Sequence, residues 1–284
     1  MSCVETPDPQ YVLPAPAKLN LFLHVVGRRE DGYHLLETVF TFLDFGDTIT
    51  LQPAPEGQYV RLSELEGVPP DQDLCIRAAR LLADATGCPK GASIEVSKKL
   101  PMGGGLGVGS SDAATVLIGL NALWGLGLSR DALAELGLKL GADVPVFVHG
   151  FSAFAQGVGE QLTPISVPKA WYVVLIPSVS VSTALIFNAP ELTRSTPRMK
   201  IVGFSAAVGH NDLETVVCAR YPEVQEQLNW LRSWGNAKMT GSGCCVFVDF
   251  STEAQAQRCF ADRPDGWNGF VAQGLQDHPL KNWL

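Results

Sequence analysis

Pro101-Met-Gly-Gly-Gly-Leu-Gly-Val-Gly-Ser-Ser111 carries five glycines within residues 103–109 and lies between a strand-like and a helix-like segment. Upstream, polar Ser93, Glu95 and Ser97 alternate with apolar Ile94 and Val96, the period of two of a half-buried strand. Downstream, Val116, Leu117, Leu120, Leu123 and Trp124 recur at helical spacing, which predicts a helix starting near Ser110 or Ser111. Glycines let backbone N–H groups converge on one point, and the free amides of a new helix favour negative charge there. The layout suits a polyphosphate. A glycine-rich surface turn without a ligand is the plainer reading, and the strand before and helix after weigh against it. No Lys follows the last glycine, and strict G-x-G-x-x-G spacing is absent, so neither common nucleotide loop applies. Asp112 would repel phosphate if it pointed inward, so it is expected to face solvent or a metal.

Composition bounds the rest. A chain of 284 residues can bury a substantial core and is expected to form two domains. With 46% hydrophobic and 18% charged residues it reads as a globular protein without long disordered tails. A formal charge of -8 argues against a nucleic-acid partner. The N-terminal residues lack a basic-then-apolar signal pattern and no long apolar run occurs, so a cytoplasmic, non-membrane location is expected. Seven cysteines, an odd number without a C-x-x-C pair, indicate neither a disulfide framework nor a zinc site. No heptad run or obvious interface stripe reveals an oligomeric state.

Three further segments carry polar side chains in apolar surroundings. In Ala17-Lys-Leu-Asn-Leu-Phe-Leu-His-Val25, alternation puts Leu19, Leu21, Leu23 and Val25 on one strand face and Lys18 with Asn20 on the other. A lone strand Lys is ordinarily a solvated edge charge. The polar turn that follows ends in Tyr33 and His34, which either cap a strand edge or read a flat base by stacking and hydrogen bonding. In Leu140-Gly-Ala-Asp-Val-Pro-Val-Phe147, Gly141 ends a helical run and Pro145 prevents its extension. Asp143 on that turn needs a partner, as a cap for the next helix or as a carboxylate aimed at a substrate hydroxyl. Met239-Thr-Gly-Ser-Gly-Cys-Cys-Val-Phe-Val248 is a small-residue turn feeding an apolar strand, suited to close approach to a ligand or to the first glycine loop.

Taken in order, Ala15-Pro-Ala-Lys-Leu-Asn-Leu21, the glycine loop with Ser110-Ser111, Gly141-Ala-Asp-Val-Pro-Val-Phe147 and Thr240-Gly-Ser-Gly-Cys-Cys-Val-Phe247 resemble the signatures of the GHMP small-molecule kinases. Within them, Asp31-Gly-Tyr-His34 and Asp44-Phe-Gly-Asp-Thr48 are similar to the branch that uses ATP to phosphorylate the 2-hydroxyl of a cytidine diphosphate-linked methylerythritol, in the non-mevalonate isoprenoid route. The resemblance runs from about Tyr11 to Leu284. It implies an α+β, two-domain fold: residues 1–163 as an N-terminal α/β domain with a left-handed βαβ crossover, an exception to the usual hand, and residues 164–284 as an α+β sandwich. The substrate would lie in the cleft between them.

By the same resemblance, Pro101, Met102, Gly103, Gly104, Gly105, Leu106, Gly107, Val108, Gly109, Ser110 and Ser111 match the ATP phosphate loop, and Lys98 matches a basic residue beside the nucleotide. Lys18 and Asp143 match the catalytic pair. Asn20, Tyr33, His34 and Phe187 match substrate-binding positions, with the Phe187 ring stacking on cytosine opposite Tyr33. ATP and Mg²⁺ are the expected cofactors, the Mg²⁺ ligands being unmarked by motif apart from the hydroxyls of Ser110 or Ser111. Two positions depart from the family pattern: Val108 replaces a frequent glycine, and Asp73 stands where an Asn near the adenine is common, putting purine contacts there in doubt. Another GHMP kinase acting on a homoserine- or mevalonate-like alcohol would need no cytosine-stacking aromatics. A nucleotide-binding regulator without catalysis would have no use for both Lys18 and Asp143.

Overall fold

The computed structural model describes residues 10–65, 68–101, 103–199 and 209–283. Two long strands, β1 (Tyr11–Arg28) and β2 (His34–Ala54), form an antiparallel ribbon. Its register shifts between Pro16 and Lys18 and again between Asn20 and Leu23, so irregularities flank the segment that holds both polar side chains. Such bulges bend a strand and re-aim its side chains.

The chain continues through β3 (Tyr59–Arg61), α1 (Leu74–Thr86) and β4 (Gly91–Ser97). Because β3 and β4 pair in parallel with α1 between them, they make a βαβ unit, and β4 joins β2 antiparallel. Along β4, Ile94 and Val96 are buried while Glu95 and Ser97 are exposed, the period of two read from the sequence. Next come α2 (Val108–Trp124), α3 (Arg130–Leu138), α4 (Val144–His149) and the hairpin of β5 (Ala153–Gln156) and β6 (Gln161–Pro164).

Helix α2 starts at Val108, two to three residues before the expected start at Ser110 or Ser111. Gly107, at φ +70°, turns the chain straight into the helix, and the apolar stripe from Val116 onward carries no trace of that first turn. The helix is buried nearly all round, and Gly119 lets it close on the sheet: a Cβ there would lie 2.3 Å from Leu51 Cδ1.

The rest of the chain forms β7 (Trp171–Ile176), α5 (Thr183–Phe187), α6 (Glu214–Arg220), α7 (Pro222–Arg232), β8 (Lys238–Met239), β9 (Val246–Phe250), α8 (Glu253–Ala261) and β10 (Asn268–Leu275). The sheet runs β3-β4-β2-β10-β7-β9-β8. Strand β10 pairs with β7 from Asn268 to Gln273 and then with β2 through Gly274 opposite Leu43 and Leu275 opposite Phe42, so the last strand joins the later strands to the earlier ones.

Two hydrophobic clusters sit against this sheet. One gathers α1, α2 and α4 with Phe40, Phe42, Ile49 and Leu51 of β2, and takes in Leu280 from the far end of the chain. The other collects the later strands and helices and takes in Leu19, Leu21, Phe22 and Leu23 of β1. Strand β1 is therefore buried on both faces, unlike the one-sided strand expected: Lys18 and Asn20 are nearly as enclosed as Leu19 between them. The six described cysteines are free thiols, and five of them are buried.

Candidate active site

Lys18 is the centre of the polar constellation. Its backbone N–H donates to Leu106 O at 3.0 Å, tying β1 to the glycine loop. Its Nζ donates to Asn20 Oδ1 and to Gly105 O at 3.0 Å, and stands 3.3 Å from Asp143 Oδ2. The Phe40 ring lies 5.2 Å below the ammonium. Asn20 is held in turn, its Nδ2 donating to Thr38 Oγ1 and its backbone N–H to Thr240 Oγ1, both at 2.9 Å. With the amide donor spent on Thr38, Oδ1 is left for Lys18.

Asp143 occupies the capping position of α4, yet its side chain makes no capping hydrogen bond, and Pro145 lies in the first turn of that helix. Its carboxylate is 34% exposed against 3% for the Lys18 side chain, so the pair presents the acid to the cleft and keeps the ammonium beneath it.

The glycine loop forms the floor. Gly103, Gly105 and Gly107 all have positive φ, near +77°, +80° and +70°. The first hydrogen bond into α2 runs from Ser111 N to Gly107 O at 2.9 Å, leaving the amides of Val108, Gly109 and Ser110 without helical acceptors, as an anion cradle requires. Val108 is helical there, and no non-glycine residue among those described has positive φ, so valine is accommodated without strain.

The Thr240–Cys245 turn closes on this loop from behind. Cys245 N donates to Gly104 O at 3.1 Å; a Cβ on Gly105 would fall 2.2 Å from Thr240 O, and one on Gly243 2.1 Å from Gly105 N. The turn approaches the first loop closely, and its Gly241 and Ser242 also line the cleft. Across the cleft mouth, Thr183 and Ser242 share a hydroxyl–hydroxyl hydrogen bond of 2.7 Å.

These parts enclose a cleft of about 460 Å³ running from the glycine loop past Lys18 and Asp143 to Phe187. A second cavity of about 540 Å³, bounded by Arg28, Tyr33, His34 and Phe187, shares Leu36, Ala142, Val158 and Thr183 with the first, so the two form one elongated groove. The rings of His34 and Phe187 lie 5.0 Å apart, tilted by 35°. Tyr33 stands at the rim, 65% exposed. Burial lowers the His34 pKa, helped by Arg194 and Arg28.

Arg194 was not marked by any sequence pattern. Its Nε donates to His34 Nε2 at 3.1 Å and its other nitrogens to the carbonyls of Phe187, Ala189 and Leu192. Thr38 and Thr183 were equally silent, since single hydroxyls in strands and turns announce nothing locally.

Several expected site residues stand elsewhere. The Lys98 ammonium is held by Asp47 and by Asp112 Oδ2, and it does not line the cleft. Asp112 therefore does not face solvent: it is buried behind the loop against Lys98, and burial pushes its carboxyl up to about 7. The Ser111 hydroxyl donates to Pro16 O at 2.7 Å inside the core. Pro101 does not line the cleft wall, and Met102 lies outside the described residues. The Asp73 carboxylate caps α1 through Cys75 N at 2.7 Å and pairs with Arg61, so its role in this fold is structural.

Comparison with known proteins agrees with this architecture. Residues 73–151 match the family model described as GHMP kinases N terminal domain. The chain is 59% identical to a 4-diphosphocytidyl-2-C-methyl-D-erythritol kinase of Thiobacillus denitrificans, over 95% of this chain and 98% of that protein. It is 56% identical to one of Nitrosospira multiformis, over 95% and 93%. A crystal structure of 4-(cytidine 5'-diphospho)-2C-methyl-D-erythritol kinase superposes with a TM-score of 0.81 at 33% identity, covering 94% of this chain and 99% of the other. A homoserine kinase from Cytophaga hutchinsonii, at 14% identity and TM-score 0.69, shares the fold.

Fold and cleft thus define a small-molecule kinase of the GHMP class. Within that class, the chain belongs to the 4-diphosphocytidyl-2-C-methyl-D-erythritol kinase family. Among the described residues, no helix is long and apolar enough to cross a membrane.

Proposed function

We propose that the groove places the γ-phosphoryl group of ATP and the 2-hydroxyl of 4-diphosphocytidyl-2-C-methyl-D-erythritol on either side of the Lys18–Asp143 pair. The reaction is ATP-dependent phosphorylation of that alcohol, giving the 2-phosphate and ADP. The observation that carries the reading is the 3.3 Å approach of Lys18 Nζ to Asp143 Oδ2 where the glycine cradle meets the aromatic cavity. A homoserine- or mevalonate-like alcohol would leave the cavity beside Phe187 and His34 without an occupant, and the relatives' names favour the cytidylated polyol.

In this mechanism Asp143 orients the 2-hydroxyl and accepts its proton as the oxygen attacks phosphorus. The bond from phosphorus to the β-phosphate oxygen breaks, and ADP leaves with that electron pair. Lys18, already hydrogen-bonded to Gly105 O, keeps Asp143 in place and offsets charge on the transferring group. The free amides at the start of α2 hold phosphate oxygens. Base stacking far from the reacting atoms would supply the binding energy that aligns the hydroxyl.

Mg²⁺ fits the donors present. Among the described residues no cluster of three or more His, Cys, Asp or Glu could hold a metal, but the cleft offers the hydroxyl of Ser110 beside the phosphate loop. A hard cation that keeps several waters and binds mainly through phosphate needs little more, and there it would neutralise phosphate charge.

The test is a coupled ADP-release assay with the cytidylated substrate. ADP release dependent on that substrate, and lost in Lys18→Ala and Asp143→Ala, is the expected result. Equal release with a mevalonate- or homoserine-type alcohol, or near-normal turnover in both variants, overturns it.

A further inference from the structure

Arg194 links two chain segments that meet on the wall of the base-sized cavity. From one side it donates to Nε2 of His34, the first residue of β2. From the other it donates to the carbonyls of Phe187, Ala189 and Leu192, which close the turn after α5. The two rings so tied, His34 and Phe187, are the pair whose centroids lie 5.0 Å apart on the cavity wall. A guanidinium with five donors in a rigid fork suits this four-acceptor task, and a single ammonium could serve only part of it.

We propose that Arg194 is a positioning residue for the nucleoside end of the substrate: it preassembles the His34–Phe187 wall before the cytidine arrives. This rests on the reading that the cytidine occupies that cavity. The hydrogen-bond direction adds a chemical consequence. Because Arg194 can only donate, Nε2 of His34 must be the acceptor, so the neutral ring carries its proton on Nδ1. No described residue accepts from Nδ1. Arg194 thus sets the tautomer as well as the place of the ring. Removing it frees the turn and the imidazole together, and cytidine must then order them on binding, which weakens affinity without touching the reacting groups.

A purely structural arginine would behave differently. If Arg194 served only to satisfy carbonyls after a short helix, its loss would lower thermal stability and affect both substrates alike.

The experiment compares wild type with Arg194→Gln and Arg194→Lys. Arg194→Gln should raise KM for the cytidylated substrate, and weaken binding of cytidine 5′-diphosphate alone, by about ten-fold or more, with kcat at saturation within about two-fold and KM for ATP unchanged. Arg194→Lys should recover part of the loss. Long-range ¹⁵N–¹H spectra of histidine-labelled protein should show His34 as the Nδ1–H tautomer in wild type and lose that signature in Arg194→Gln. Unchanged cytidine diphosphate affinity in a folded Arg194→Gln protein, equal losses for ATP and the cytidylated substrate, or an Nε2–H tautomer in wild type would each overturn the proposal. Absence of substrate-dependent turnover in the wild type would instead overturn the proposed function.

Discussion

Gly107 leaves the space that Lys18 occupies. A Cβ at Gly107 would lie 3.0 Å from both Cγ and Cε of Lys18 and equally close to Phe147 Cζ, and the glycine's φ is +70°. The residue that starts α2 and opens the phosphate cradle is thus also the one over which the lysine stem passes. Cradle and ammonium are two consequences of one missing side chain.

Gly107→Ala should therefore do more harm than Gly103→Ala. Both positions have positive φ, an expected strain of about 1–2 kcal/mol for alanine, but a Cβ at Gly103 meets nothing within 4 Å. Thermal melts should show a loss for both, whereas kcat should fall by about ten-fold or more only for Gly107→Ala, because Lys18 is displaced.

Asp143→Asn preserves shape and removes the proton acceptor. Steady-state kinetics should show kcat lowered by about 10²- to 10⁴-fold, with KM for the cytidylated substrate within a few-fold. Near-normal turnover would show that Asp143 does not take the proton.

The two loop serines should separate. Ser111→Ala leaves the buried Pro16 carbonyl without its donor and should cost about 1–2 kcal/mol in urea denaturation while sparing the Mg²⁺ requirement. Ser110→Ala should leave stability alone and raise the Mg²⁺ concentration needed for half-maximal activity several-fold. The reverse pattern would exchange the roles assigned here.

Asp112 makes stability depend on pH with a definite sign. Burial raises its carboxyl from 3.8 to about 7, so between those values the folded protein holds a proton that the unfolded chain has lost. Stability from this group therefore falls as pH rises from about 4 to 7. Asp112→Asn removes that slope, and its melting temperature relative to wild type should climb between pH 5 and pH 8. A constant difference across that range would mean that the carboxyl titrates normally.

Asp73→Ala tests the structural role given to that residue. It removes a cap from α1 and strands the Arg61 guanidinium, which is 8% exposed. A loss of about 3–5 kcal/mol is expected in chemical denaturation, with KM for ATP little changed in the folded fraction.

How far the fold and site could be read from the chain depends on how local each feature is. The alternation of β4 and the glycine loop leading into α2 were legible, because a strand's period and a glycine's freedom are settled by neighbouring residues. The start of α2 was misplaced because Gly107 creates it through a backbone angle. Lys98 and Asp112 read differently in the fold for a related reason: a cation beside a phosphate loop and an acid at a helix start look available until Asp47 arrives from β2 and binds the lysine. Arg194 gave no sign at all, since its four acceptors are scattered over His34 and the turn after Phe187.

The amino-acid order alone settled the glycine cradle, the main strands and helices around it, and the family to which its motifs point, for these are written in contiguous runs. Tertiary structure decided which charges are spent and which face the groove. It set Asp143 against Lys18 and enclosed Lys98, Ser111 and Asp73 in structural bonds. Hydrogen bonds and ion pairs act over a few ångströms of space, and only folding determines which distant residues come that close.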